Sequence, residues 1–338
     1  MSIRDVAHRA GVSYQTVSRV INGHPAVRES TRERVVVSIA ELGFRPNRTA
    51  RALASGQTRA VTVLTSNTTR YGYAATLQGI EEAARAAGFS VGICVLDSPA
   101  PGAVRATVEA ACDPTAGAVI VIAFDLAGVR ALREVPPGAS VVAAVEASEG
   151  KTDHPYPRAW LDDRAAATSA TRYLLELGHE TVHYVAIPSS TGASDRTQGW
   201  RSALEEGGAP VPDPIPGDWS PRSGYEAGQR LAADQQVTAV LCGNDDLALG
   251  VLRTMREAGR AVPESVSVAG FDDAPQSAFY APALTTVRLD FAGLGRDCFQ
   301  LLRTQHDQLA SQQARTVSQP ELIIRDSTAP PVEARCAG

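Results

Sequence analysis

From Ala60 onward the sequence alternates short apolar runs with amphipathic stretches, and it does so twice. AVTVLT precedes a helical pattern around 74–87, SVGICVL one around 103–111, and GAVIVIA one around 126–133; SVVAAV closes the first run. After Asp162 the pattern restarts with a helix near 164–177, HYVAIP, helices near 194–206 and 221–233, VTAVLC, a helix near 245–258, and SVSVAG. The apolar runs have the length of buried parallel strands. The segments between them carry the three- and four-residue spacing of helices that cover a sheet. Two such runs predict two parallel-sheet α/β subdomains of the doubly wound, Rossmann-like kind. LTTV (284–287) and ELIIRD (321–326) flank a last helix near 292–309, where the chain is expected to cross back between subdomains. Ligands of parallel sheets bind at the carboxyl ends of the strands, so the cleft between the two subdomains is the expected ligand site.

Residues 1–60 follow a different pattern. They hold ten Arg against Asp5, Glu29, Glu33 and Glu41, a net of +6, while the rest of the chain carries 22 basic and 33 acidic residues, a net of −11. A basic end on an acidic body points to nucleic acid as its partner. Three short helices fit: Ile3 to Ala10, Tyr14 to Ile21 with Val17, Val20 and Ile21 inward, and Ser30 to Leu42 with Val35, Ile39 and Leu42 inward. Gly11-Val12-Ser13 is a sharp corner in which Gly11 takes a left-handed conformation and Ser13 caps the next helix, so the segment reads as a helix-turn-helix. Tyr14, Gln15 and Arg19 fall opposite Val17 and Val20 on the second helix. Gln pairs with adenine and Arg with guanine through two hydrogen bonds each, and in a helix-turn-helix these positions face base edges. Ser13, Thr16, Ser18 and Asn22 are short polar groups suited to phosphate oxygens. The alternative is that Tyr14 and Arg19 only coat a small three-helix domain. Beyond it, Pro46 ends what precedes it, Asn47 is placed to cap a short new helix, and Gly56 closes it. A helix that short is marginal by itself.

Several classes are excluded or disfavoured by what is absent. No apolar run reaches the ~18 residues that span a bilayer, and MSIRDVAHRAG lacks the apolar core of a signal peptide. Cys94, Cys112, Cys242, Cys298 and Cys336 include no CxxC pair, and reduced thiols in a cytoplasmic, nucleoid-associated protein are expected. The chain has neither a GxxxxGK[ST] phosphate loop nor a GxSxG elbow, and its six histidines show no metal-ligand spacing. An enzyme, a metal and a cofactor are therefore not expected.

In the body, side chains at strand ends and helix starts stand out. Arg196 opens a helix and is either a solvated surface residue or a fork for vicinal hydroxyls. Asn244 and Asp245 follow VTAVLCG, where one of them caps the next helix. Asp272 and Asp273 follow SVSVAGF; the first is the expected ligand contact and the second structural. Trp219, in GDWS, is either an aromatic wall for the apolar face of a sugar or a core residue. Tyr71 and Tyr73 sit at the first strand-to-helix turn, as a rim of the cleft or as surface aromatics or dimer contacts. One Arg, Asn, Asp and Trp about a pocket suit a neutral polyol better than a phosphate or purine.

VAHRAGVSYQTVSRVINGHPAVRESTRERVVVSIAELGFRPNRTARALASG resembles the headpiece and hinge of the lactose-repressor (LacI/GalR) family. YLLELGH, GDWS, NDDLALG, PESVSVAGFDD and LTTVRLDF match further motifs of that family in order, so the resemblance runs from residue 3 to about 326. It implies a helix-turn-helix headpiece over 1–46, a hinge helix or linker over 47–58, and an effector-binding and dimerisation domain of periplasmic-binding-protein type over 59–326. It divides that domain into one subdomain of about 59–160 with 290–320 and another of about 161–289 with 321–326, leaving 327–338 as a disordered tail. By position, Tyr14, Gln15 and Arg19 read bases and Asn22 holds the backbone. The hinge folds on operator DNA with Asn47, Arg48, Ala50 and Leu53 in contact, Leu53 entering the minor groove as a wedge. Arg196 and Asn244 take ligand-contacting positions. Two departures stand out: Leu289 occupies a position that is polar in the family's namesake, and SVVAAVEAS has no Asp at its strand end, although Glu146 is close. Whether Glu146 or Leu289 lines the pocket stays open. The implied function is a repressor that binds a palindromic double-stranded operator as a homodimer and is released by a small saccharide, a galactoside first. A corepressor or non-sugar effector on the same architecture, or a solute-binding protein, are the alternatives. No heptads follow Asp326, so a dimer rather than a coiled-coil tetramer is expected.

Overall fold

The computed structural model describes residues 1–21, 24–44, 59–113, 117–145, 156–189, 194–306, 315–318 and 320–332. The chain divides into two units, Met1–Arg59 and Ala60–Gly338.

The first unit contains α1 (Ile3–Ala10), α2 (Tyr14–Ile21) and α3 (Glu29–Glu41). Ser2 and Asp5 close a reciprocal capping box at the start of α1: the Asp5 amide donates to the Ser2 hydroxyl, and the Ser2 amide donates to the Asp5 carboxylate at 2.7 Å. Gly11 ends α1 at φ 66°, which only glycine adopts without a Cβ penalty, and so turns the chain into α2. The Ser13 hydroxyl accepts the Thr16 amide and fixes the start of α2. Val6, Ala7, Ala10, Val17, Val20 and Val35 close a core. The inward face of α3 differs slightly from expectation. Val35 and Ser38 are buried while Ile39 is only partly covered, and the Ser38 hydroxyl satisfies itself on the Arg34 carbonyl.

The second unit runs β1 (Ala60–Thr65), α4 (Tyr71–Ala86), β2 (Ser90–Val95), α5 (Pro101–Ala111), β3 (Ala118–Ala123), α6 (Leu126–Glu134), β4 (Val141–Val145) and β5 (Arg158–Leu161). It continues with α7 (Asp163–Glu176), β6 (His183–Ala186), α8 (Asp195–Glu206), β7 (Ile215–Pro216), α9 (Pro221–Ala233), β8 (Ala239–Cys242), α10 (Asp245–Glu257) and β9 (Ser267–Asp272). A 3₁₀ turn (Pro275–Phe279), β10 (Thr285–Arg288), α11 (Phe291–His306), β11 (Arg315–Ser318) and β12 (Glu321–Ile323) complete it. Two six-stranded sheets result, ordered β11-β5-β4-β3-β1-β2 and β12-β10-β9-β8-β6-β7. Among the described residues every pairing is parallel except β10 with β12. This is the α/β, doubly wound architecture that the alternating pattern predicts. The chain passes between the sheets three times, after β5, β10 and β11. The central strands β3 (AVIVIA) and β8 (AVLC) are buried along almost their whole length, because helices cover both faces. α4 and α11 approach backbone to backbone: a Cβ on Gly79 would lie 2.0 Å from the Ala292 carbonyl oxygen.

The expectation of a disordered tail over 327–338 does not fit its first residues. Ser327 is fully buried, accepting the Thr285 amide at 2.8 Å and donating to the Val268 carbonyl at 2.6 Å. The Ala329 carbonyl lies 3.1 Å from His179 Nε2, and the Thr328 hydroxyl meets Tyr173 at 2.9 Å. These polar partners sit at or beside the amino-terminal ends of β9 and β10, a signal that apolar periodicity does not carry. His179 is thereby a buried structural residue, with Thr238 and Ser267 as its other partners.

Candidate functional site

Two surfaces hold the residues singled out from the sequence, one in each unit. On α2, Tyr14, Gln15 and Arg19 are exposed, Thr16 and Ser18 are half-buried, and Val17 and Val20 face the core. Tyr14 leaves 55% of its surface exposed. Ser13 is exposed as well, although its hydroxyl already serves as a cap. Asn22, Asn47, Arg48, Ala50, Leu53 and Glu146 lie outside the described residues.

The second surface is a cavity at the carboxyl ends of both sheets, with about 670 Å³ of empty space including its open mouth. Tyr71, Tyr73, Arg196, Trp219, Asn244 and Asp272 all line it. Each follows a strand. Tyr71 and Tyr73 open α4 after β1, Arg196 opens α8 after β6, Trp219 follows β7, Asn244 follows β8, and Asp272 ends β9. Asp245, singled out beside Asn244 as a candidate cap, joins them, as do Phe124, Phe291, Asp163, Asp246 and Arg70, which were not expected from the sequence. Leu289 is not a lining residue; it is 3% exposed within the main core, which explains an apolar side chain there.

Arg196 is 5% exposed and fully engaged in its surroundings, not a solvated helix-start residue. Its Nε donates to Asp163 Oδ2 at 3.1 Å, and its Nη1 donates to the Gly243 carbonyl at 2.5 Å and to Asp272 Oδ1 at 3.3 Å. The guanidinium lies over an aromatic face, at 4.7 Å from the Phe271 ring centre. Two buried carboxylates thus share one cation. Burial raises the Asp163 carboxyl above its usual range while Arg196 opposes the shift. Burial likewise pushes Asp272 up to about 7, against Arg196 and with help from the charges of Asp163 and Asp246.

Asn244 caps α10, accepting the Leu247 amide at 2.8 Å, while its Nδ2 donates to the Trp219 carbonyl at 3.1 Å. That bond holds Trp219 at φ 74°, and Asp272 and Asp273 also adopt positive φ, 107° and 50°. Non-glycine residues in that region cost of order 1–3 kcal/mol each and gather where surroundings impose them. Asp273 is structural: Arg325 and Arg288 bond it at 2.5 and 2.8 Å, and although burial works against them they hold its carboxyl below the usual range. Asp245 is 2% exposed and accepts the Thr286 hydroxyl at 2.6 Å and the Ala274 amide at 2.8 Å, fixing the turn behind Asp272. Burial raises its carboxyl well above the ordinary value.

Aromatic walls complete the site. Tyr73 is 4% exposed and packs edge-on against Phe124, and Tyr71 packs edge-on against Phe291. Burial raises the Tyr71 hydroxyl, helped by Asp272 and Asp273. Trp219 meets the Arg70 guanidinium at 4.5 Å from its ring centre. Because Arg70 precedes α4 and Trp219 follows β7, this contact joins the two subdomains at the cavity. Among the described residues no cluster of side chains could hold a metal ion, and no helix is long and apolar enough to cross a membrane.

Residues 2–47 match the model of the bacterial regulatory proteins of the lacI family, and residues 171–328 match a periplasmic binding protein-like domain. Catabolite control protein A of Priestia megaterium is 31% identical over 309 residues, covering 89% of this chain and 91% of that protein. The chain belongs to the lacI family. Another member, the lactose operon repressor of Escherichia coli (strain K12), is 32% identical over 298 residues, covering 88% of this chain and 82% of the relative. The repressor PurR of Haemophilus influenzae (strain Rd) is 30% identical over 340 residues, covering 96% and 98%. Among solved structures, the lac repressor dimer bound to operator and the anti-inducer ONPF superposes with a TM-score of 0.85 at 28% identity, covering 97% of this chain and 99% of that one. The regulator CelR in complex with cellobiose gives 0.71 at 29% identity, covering 97% and 99%. As a lacI-family member the protein is a ligand-responsive transcriptional repressor, and repressors of this family bind operator DNA as dimers under the control of small-molecule effectors.

Proposed function

We propose that this repressor binds a palindromic operator through α2 of each protomer and is released from it by a small saccharide, with a galactoside as first choice. Tyr14, Gln15 and Arg19 read base edges, Ser13, Thr16, Ser18 and Asn22 hold phosphates, and Asn47, Arg48, Ala50 and Leu53 belong to a hinge that meets the minor groove. The domain limits proposed from the sequence, 1–46, 47–58 and 59–326, follow from this division of labour. The observation that carries the effector reading is the convergence of Tyr71, Tyr73, Arg196, Trp219, Asn244 and Asp272 on one cavity at the strand carboxyl ends. It offers aromatic faces for the apolar side of a pyranose and charged or amide groups for its hydroxyls. Solved relatives support the class: a lac repressor holds ONPG, CelR holds cellobiose, and a regulator from Enterococcus faecium, 26% identical, holds ribose.

The test is fluorescence anisotropy of a labelled palindromic operator built on the lactose half-site, at fixed salt because phosphate contacts make affinity steeply salt-dependent. Galactosides, glucosides, cellobiose and ribose are then added singly. Release by one of them is the expected result. Tightening by a ligand instead identifies a corepressor, and indifference to every saccharide moves the effector to another class, as the similarity to PurR allows.

A further inference from the structure

The charges that line the cavity do not balance. Asp163, Asp245, Asp246 and Asp272 face Arg70 and Arg196. Both cations are committed. Arg196 is shared between Asp163, Asp272 and the Gly243 carbonyl. Arg70 lies over the Trp219 ring, and its charge opposes the burial that raises the Asp246 carboxyl. Asp163 adds a second, independent sign. Its side chain is 5% exposed, and its Oδ1 has no hydrogen-bond partner although Oδ2 accepts from Arg196. A buried carboxylate oxygen without a donor is costly, so a hydroxyl or amine brought to Oδ1 would gain a charge-assisted hydrogen bond there.

We propose that Asp163 is a specificity-determining residue of the effector cavity: with Asp272 it gives the cavity a carboxylate surplus that admits effectors bearing only hydroxyl or amino groups and turns away phosphorylated or carboxylated ones. The proposal rests on the reading of this cavity as the effector site. Hydroxyl and ammonium groups donate to carboxylates, whereas phosphate and carboxylate oxygens only accept and add like charge. Asp163 works by field as well as by hydrogen bond, because the walls of Tyr71, Tyr73, Phe124 and Phe291 keep the local dielectric low. An anion thus meets repulsion here even without touching Asp163, and rejection of the wrong partner by an unpaired charge is an effective source of selectivity.

The test is isothermal titration of the full-length protein with matched sets at pH 8, above the value of about 7 at which Asp272 titrates, so that its carboxylate carries charge. Galactose is compared with galactosamine, galactose 6-phosphate and galacturonate, the same four forms are taken for glucose, and adenosine is compared with its 5′-monophosphate. In each set that binds, the phosphorylated and carboxylated forms are expected to bind at least about tenfold more weakly than the neutral or amino form. Asp163→Asn keeps an acceptor for Arg196 Nε and removes the charge. It is expected to shrink that ratio to about threefold or less while moving the neutral form's affinity less. The wild-type comparison stands even if the variant fails to fold. An anionic form that binds as tightly as its neutral counterpart overturns the proposal, as does an unchanged ratio in a folded Asp163→Asn. If adenosine binds and no sugar does, the saccharide reading fails while charge selection is still scored on the nucleoside pair. If no neutral or amino form binds, both fail.

Discussion

At the scale of single residues, the cavity's carboxyls make stability depend on pH in a direction opposite to that of most surface acids. Asp272 titrates at about 7 in the folded chain against an ordinary 3.8. The folded state therefore holds this proton through a window in which the unfolded chain has lost it. The stabilisation is complete below the ordinary value and is lost as pH rises through about 7. Asp163 and Asp245, both raised by burial, act with the same sign. Urea unfolding at pH 5, 6, 7 and 8 should show the wild type losing stability relative to Asp272→Asn across that range, by an amount on the order of a few kcal/mol at most. Parallel profiles for the two proteins would remove Asp272 as the titrating group. Much of this site was legible in the sequence. Arg196, Asn244 and Asp272 sit at strand-to-helix junctions, where position alone suggests a role. Asp163 was not legible, because in LDDR it neighbours Asp162, the residue that caps α7, and only the arrival of Arg196 from α8 turns it into a buried partner. Arg70 was missed for the same reason: its contact, Trp219, lies far along the chain.

At the scale of elements, the seam between α4 and α11 holds the first sheet's covering layer together. Gly79 leaves room for the Ala292 backbone, and a Cβ there would fall 2.0 Å from a carbonyl oxygen that no side-chain rotation can move. Gly79→Ala gains helix propensity of up to about 1 kcal/mol but must part the helices, at a cost of roughly 1–3 kcal/mol or more, so net loss of stability is expected. Gly102→Ala, on the exposed side of α5 with open space at its Cβ, should instead stabilise by up to about 1 kcal/mol. Equal effects at the two sites in urea unfolding would dismiss the seam. The regular elements were readable because their apolar spacing is strong: the helices of the body begin and end within about three residues of expectation. What escaped were pieces whose burial comes from partners distant in sequence. β5 (RAWL) has a charged residue at its start, yet Arg158 is 7% exposed in the sheet. β7 is two residues long, Ser327 is held through its own hydroxyl by the Thr285 amide and the Val268 carbonyl, and Ala329 is held by the Ser267 hydroxyl and His179. Periodicity is silent about each of these.

At the scale of the whole molecule, the chain joins a basic unit with its own small apolar core to an acidic unit whose cavity lies between two sheets. For a repressor of this kind, effector and operator act on one equilibrium between conformations, and each can shift it only by its differential affinity for them. Linkage then fixes a symmetry. If a saccharide weakens operator affinity by some factor, saturating operator must weaken saccharide affinity by that same factor. Coupling free energies of this kind run to about 1–3 kcal/mol, so factors of roughly 5 to 150 are expected. The cross-cavity contact between Arg70 and Trp219 is of comparable worth, about 0.5–2 kcal/mol, and it forms in the conformation described here. Saccharide titrations of the full-length protein, with and without saturating operator, measure one side of the cycle. Operator titrations with and without saccharide measure the other. Equal factors are expected at every salt concentration, even as absolute operator affinity falls steeply with salt. Unequal factors would mean that a further species, such as a dissociated protomer, takes part, and repeating the cycle at several protein concentrations would expose it, because only dissociation makes the mismatch depend on concentration.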